Sequence, residues 1–159
     1  MIHVDSDVSD DWDCNTDWTA LADAAVRAAA ACSDYPDLAD TEVSVKFTSD
    51  EEVRTLNAAW RGKDKATNVL SFPMADEPEH APMLGDIVLA SGVCAREAAE
   101  KEVAVETHAT HLVVHGMLHL LGYDHETGDA EAEAMEAIER QALASLGIAD
   151  PYAVTEVES

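Results

Sequence analysis

The 159 residues carry nine Lys plus Arg against thirty-three Asp plus Glu, a formal net charge of −24. That length suits one domain with enough chain to bury a core, and the negative field opposes stable DNA binding and adhesion to anionic lipid. No apolar run reaches transmembrane length and no basic-then-apolar leader opens the chain, so a cytoplasmic protein without membrane partners is expected.

Asp and Glu are scattered rather than gathered in one block, which favours an acidic surface suited to a salty cytoplasm over a dedicated patch for a basic partner. Cys14, Cys32 and Cys94 are odd in number and lack paired spacing. They read as reduced, mostly buried thiols and not as zinc ligands or a nucleophile.

In chain order, Ile2, Val4 and Val8 alternate with polar residues and suggest a first strand. An Asp-rich stretch follows. From Asp17 the positions Trp18, Leu21, Ala25, Val26, Ala29 and Cys32 recur at helical spacing, predicting a helix that ends before Tyr35-Pro36. Val43, Val45 and Phe47 alternate with Ser44, Lys46 and Thr48, the period of a half-buried strand. Ser49 with Glu52 three residues on forms a capping box for a second helix to about Trp60. Next comes Arg61-Gly-Lys63-Asp-Lys65, so that with Arg54 four of the nine basic residues fall within twelve positions. This concentration in so acidic a chain is a candidate anion-binding spot beside a cleft.

Asn68 to Phe72 reads as a short strand stopped by proline, residues 75–83 as loop, and Gly85 to Ala90 as a central strand covered on both faces. Two helices follow, from Cys94 to Val103 and from about Thr107 to Gly122. After them Asp129 caps a last helix whose buried stripe is Met135, Ile138, Ala142 and Leu146, closed by Gly147. The expected fold class is α+β, an α/β sandwich of one mixed sheet with helices packed on it. The domain should cover 1–154, leaving 155–159 as a loose acidic tail.

The stretch His115-Gly-Met-Leu-His119-Leu-Leu-Gly122-Tyr-Asp124-His125 places three histidines in eleven residues. On a helix His115 and His119 leave the same face about 5–6 Å apart at Cβ. Gly122 can end the helix in a left-handed conformation and let the chain bring His125 back toward the pair. Three nitrogen ligands with one open position is the build of a catalytic zinc site. The surrounding Leu112, Val113, Val114, Met117, Leu118, Leu120 and Leu121 make the helix apolar on nearly every side and thus buried. Buried imidazoles need partners.

With these segments in hand, the chain resembles the YbeY family of bacterial metal-dependent endoribonucleases. HGMLHLLGYDH matches that family's HGxLHLxGYDH signature at every fixed position, and LNAAWRGKDKATNVLSFP (Leu56 to Pro73) and LGDIVLA (Leu84 to Ala90) agree as well. The resemblance spans roughly 42–146. It implies a four-stranded mixed sheet with about five helices and a metzincin-like zinc helix, with one Zn²⁺ held by His115, His119 and His125. It further implies action on single-stranded rRNA at the 3′ end of the small-subunit rRNA, a part in ribosome quality control, and ribosomal proteins or ribosome-assembly factors as partners. Arg61 matches the family's functionally important arginine. Asn68 stands where Asp is more usual, and His108 and His111 extend the histidine face.

A zinc ion in such a site would lower the pKa of a bound water toward about 7 and polarise a phosphoryl oxygen. Arg61 would bind the scissile phosphate through its planar fork, with Lys63 and Lys65 on flanking phosphates. Asp124 would orient a ligand imidazole or hold the turn. The general base is unassigned between Glu126 and the RNA 2′-hydroxyl. The spacing is also that of metzincin peptidases, but those carry Glu after the first histidine, and here Gly116 has no side chain. A zinc metallopeptidase and a non-catalytic zinc or ribosome-binding module are the competing readings.

Overall fold

The computed structural model describes residues 2–38, 40–74, 77–78, 81–123 and 128–148. The proposed tail at 155–159 lies outside them. The described residues form four strands and five helices: β1 (Ile2–Val8), α1 (Trp18–Cys32), β2 (Thr41–Thr48), α2 (Asp50–Arg61), β3 (Val69–Pro73), β4 (Met83–Ala90), α3 (Ser91–Glu100), α4 (Val105–Leu120) and α5 (Asp129–Ser145). One mixed sheet takes the order β1-β2-β4-β3, parallel except for the antiparallel β3–β4 pair. The α+β reading holds, and β4 is interior.

The two faces of this sheet are covered unequally. Val43, Val45 and Phe47 of β2 and Ile87 and Leu89 of β4 point to a large core shared with α1, α4 and α5. The opposite face carries Ser44, Lys46 and Asp86, and among the described residues its core is the small cluster of Val53, Leu70, Val88 and Ala90 under α2. The α2 side is therefore thin. Trp12, in the Asp-rich stretch that carried no periodic signal, belongs to the large core. Its ring meets Trp18 and Phe47 edge-on at 4.8 and 5.1 Å, and its indole N–H donates to the Thr48 carbonyl at 2.9 Å.

Caps set the helix ends. Asp17 accepts from the Ala20 amide at 3.0 Å and Ser49 from the Glu52 amide at 3.2 Å. The second half of the capping box is not made, because the Glu52 carboxylate is taken by Lys46 and the Thr48 hydroxyl, and Lys46 holds it below the usual carboxylate range. Asp129 is the first residue of α5 and not its cap, a place held by Gly128. The buried stripe of α5 is Met135, Glu139, Ala142 and Leu143, with Ile138 and Leu146 only partly covered. The thiols divide three ways: Cys14 is exposed, Cys32 half-buried and Cys94 buried, with burial pushing the Cys94 thiol up to about 12.

Helix α4 is buried along most of its length, as its all-round apolar sequence requires. Gly116 lets it lie close to the sheet: a Cβ there would stand 2.8 Å from Ile87 Cγ2 and 3.1 Å from Ser71 Oγ. Past its end, Gly122 takes φ +98°. The Gly122 amide donates to the His119 carbonyl and the Tyr123 amide to the Leu118 carbonyl, the paired bonds of a Schellman turn. The Tyr123 hydroxyl then donates to Asp34 Oδ2 at 2.8 Å and accepts from the Asp34 amide, tying the turn to the segment after α1.

Candidate metal and phosphate centre

The last two turns of α4 present His115 and His119 to a cleft of about 660 Å³. Arg61, Lys63 and Lys65 enter it from the end of α2 and the following loop, Thr67 and Asn68 from the approach to β3, Val69 to Ser71 from β3 itself, and Gly122 and Tyr123 from the turn. The histidine face and the basic loop, about fifty residues apart in sequence, thus share one cavity. His125, Asp124 and Glu126 lie outside the described residues. Among the described residues no group of three His, Cys, Asp or Glu gathers in metal-holding geometry; the pair His115 and His119 is what the described residues bring together.

That pair has a definite form. His115 Nε2 and His119 Nε2 approach to 3.0 Å, with the rings nearly perpendicular at 81°. On the other side of the ring, His115 Nδ1 meets Glu139 Oε1 at 2.5 Å. With Glu139 ionised, its carboxylate only accepts, so Nδ1 donates in that bond and Nε2 is the nitrogen turned toward His119. Two imidazole nitrogens about 2.0–2.1 Å from a tetrahedral zinc stand about 3.3 Å apart. The 3.0 Å separation lies close to that spacing.

Glu139 is the residue that sequence reasoning missed. It is fully buried, and its second oxygen lies 3.8 Å from His111 Nε2. Its signal was available as a lone carboxylate four residues after Met135 on the inward stripe of α5. A buried charge must be paired or hydrogen-bonded, and here the partners are histidines of α4. His115 thus has a carboxylate partner in Glu139, while Asp124, read as orienting a ligand imidazole or holding the turn, lies outside the described residues.

Arg61 is held before any ligand arrives. Its Nη2 donates to the Ser71 carbonyl of edge strand β3 at 2.6 Å, and its guanidinium lies 5.7 Å from the Phe72 ring centroid. Most of its five N–H donors are left for an anion. Arg27, Lys46, Arg54 and Arg96 are paired with Asp23, Glu52, Asp64 and Asp50. Arg54 therefore drops out of the basic cluster. Arg61, Lys63 and Lys65 have no such carboxylate partner among the described residues.

His108 and Asn68 belong elsewhere. His108 Nε2 and Asn68 Nδ2 both meet Glu97 Oε1, at 2.8 and 3.0 Å, and burial holds the His108 imidazole below its usual pKa despite that carboxylate. His108 does not extend the histidine face of the cleft. Asn68 lines the cleft, but its side chain is engaged by α3 and by the Val69 amide.

Comparison with known proteins agrees across the chain. The family model described as Endoribonuclease YbeY matches residues 7–147. The chain is 57% identical to Endoribonuclease YbeY of Novosphingobium aromaticivorans over 164 residues, covering 96% of this chain and 97% of that protein. It is 53% identical to Endoribonuclease YbeY of Rhizorhabdus wittichii, covering 98% and 99%. The solution structure of TM1509 from Thermotoga maritima superposes with a TM-score of 0.57 at 25% identity, over 92% of this chain and 91% of that one.

Proposed function

The chain belongs to the YbeY family of endoribonucleases, and from that premise we propose that it is a zinc-dependent endoribonuclease cleaving single-stranded rRNA. Its place is maturation of the small-subunit rRNA 3′ end and ribosome quality control, alongside ribosomal proteins or assembly factors. The observation that carries this reading is the cleft itself. Two histidine nitrogens 3.0 Å apart and three cationic side chains without carboxylate partners among the described residues line one cavity.

His115, His119 and His125 would hold the ion. When bound, zinc supplies Lewis acidity toward water and phosphoryl oxygen. The protein's own groups do the rest. Glu139 keeps the His115 proton on Nδ1 and its lone pair on Nε2. Arg61, anchored on Ser71 and Phe72, offers fixed donors to the non-bridging oxygens of the scissile phosphate, where negative charge grows as the bond breaks. Lys63 and Lys65 take flanking phosphates. No described carboxylate lines the cleft, and the base stays unassigned between Glu126 and the RNA 2′-hydroxyl.

The peptidase reading loses its support at Gly116. The glutamate that serves those peptidases as general base has no counterpart there. The deciding experiment is cleavage of single-stranded RNA in high salt, which screens the repulsion at −24. The wild type should cleave RNA and leave casein intact. His119→Ala should lose both cleavage and zinc. Arg61→Ala should lose about 10²- to 10³-fold in cleavage, the scale of one lost charge-stabilising donor, while keeping zinc. Casein hydrolysis without RNA cleavage would make it a peptidase, and bound zinc with neither activity a binding module.

A further inference from the structure

Trp60 is 73% exposed and Met74 62%, whereas Trp12 and Trp18 are only 5% and 3% exposed. Among the described residues the other large exposed apolar side chains are Val8 and Val103. Trp60 and Met74 stand at one place, a groove of about 820 Å³ on the thin α2 face of the sheet, walled also by Leu56, Phe72 and Val88. The Trp60 and Phe72 rings lie 6.5 Å apart, edge to face.

This groove adjoins the cleft. Arg61, Ser71 and Pro73 line both, because Arg61 crosses the free edge of β3 to reach the Ser71 carbonyl. A phosphate on Arg61 therefore leaves the base of a neighbouring nucleotide beside Trp60. Within the groove Lys46 is already paired with Glu52, and Asp86 adds a negative charge. Asp86 repels a phosphate but can accept from the amino edge of a base, and the apolar walls admit its uncharged face.

We propose that the Trp60–Phe72–Met74 groove is a nucleobase-stacking subsite for the nucleotide flanking the scissile phosphate. The inference rests on the nuclease reading above. It also answers the charge problem, since stacking does not depend on charge and holds a strand at the salt concentration that screens the long-range repulsion. An acidic chain with three cations in its cleft needs such a contact to hold RNA.

The test uses single-stranded oligoadenylate in high salt, with the wild type, Trp60→Ala and Trp60→Phe. Trp60→Ala should raise KM roughly 5- to 160-fold, the equivalent of ~1–3 kcal/mol for one base stack. Its kcat should stay within about twofold, as for contacts made equally in ground and transition states, and Trp60→Phe should recover most of the loss. An oligoadenylate with an abasic sugar beside the cleaved bond should lose as much with the wild type and nothing further with Trp60→Ala, since both changes remove one contact. Because Trp60 is the exposed indole, oligoadenylate should also quench the wild-type tryptophan fluorescence. An unchanged KM for Trp60→Ala, or abasic and Trp60 effects that add independently, overturns the subsite while cleavage still stands. Conversion of a wild-type dimer to a monomer by Trp60→Ala would assign the groove to a second copy and overturn it as well. Quenching without any cleavage would sink the nuclease reading and leave the subsite.

Discussion

Two of the histidine–glutamate pairs on helix α4 are made from the same parts and put to different ends. Near its start, His108 meets Glu97 of α3; near its close, His115 meets Glu139 of α5. In the first pair the carboxylate takes Nε2, the far nitrogen of the ring, and also binds Asn68, so the reach of the imidazole is spent inside the protein. In the second the carboxylate takes Nδ1, the near nitrogen, and the far one is left facing His119 and the cleft. The choice of nitrogen separates a histidine that ties helices together from one that can hold an ion.

The sharpest way to break this contrast is to remove the charge from each glutamate while keeping its shape. Glu139→Gln should weaken zinc binding about 10- to 100-fold, the usual cost of losing an orienting carboxylate. Glu97→Gln should leave zinc affinity unchanged. Competition with a chromophoric chelator measures both, and equal losses would mean that the two pairs are not distinct. A second substitution probes the position of the lower pair. Gly116→Ala pushes a methyl group to 2.8 Å from Ile87, and should cost about 1–3 kcal/mol in urea unfolding by overpacking. A neutral result would show that α4 can retreat from the sheet without strain.

How much of this was legible in the sequence depended on range. The strand at Val43, Val45 and Phe47, the Ser49 cap and the shared face of His115 and His119 follow from local periodicity and appear as expected. The cleft required Arg61 and His115 to meet, which motif resemblance suggested and only tertiary structure displays. Glu139 escaped because helical stripes are read by apolar positions, and a carboxylate on the inward face counts as a break in the pattern until its partner is known. Trp12 escaped for the opposite reason, being one aromatic without a period, placed by ring contacts and a single indole hydrogen bond. His108 was grouped with the cleft histidines because spacing along a helix cannot say which nitrogen a neighbouring helix will claim.

The smallest effect concerns the upper pair alone. Burial lowers the His108 pKa below 6.5 in the folded protein, opposed by Glu97 and assisted by Lys101 and His111. The fold therefore favours the neutral ring, and above pH 6.5, where the unfolded chain is mostly neutral too, His108 adds little pH dependence. As pH falls below 6.5, the unfolded chain takes up the proton first, so stability declines until the folded value is passed. One proton limits the slope to about 1.4 kcal/mol per pH unit. Urea unfolding of wild type and His108→Gln, compared at about pH 7.5 and about pH 5.5, isolates this contribution from the other histidines. The variant should lose less stability on acidification than the wild type. An equal loss would place the acid sensitivity in the cleft histidines, and His108 would no longer stand as the proton-excluding member of the contrast.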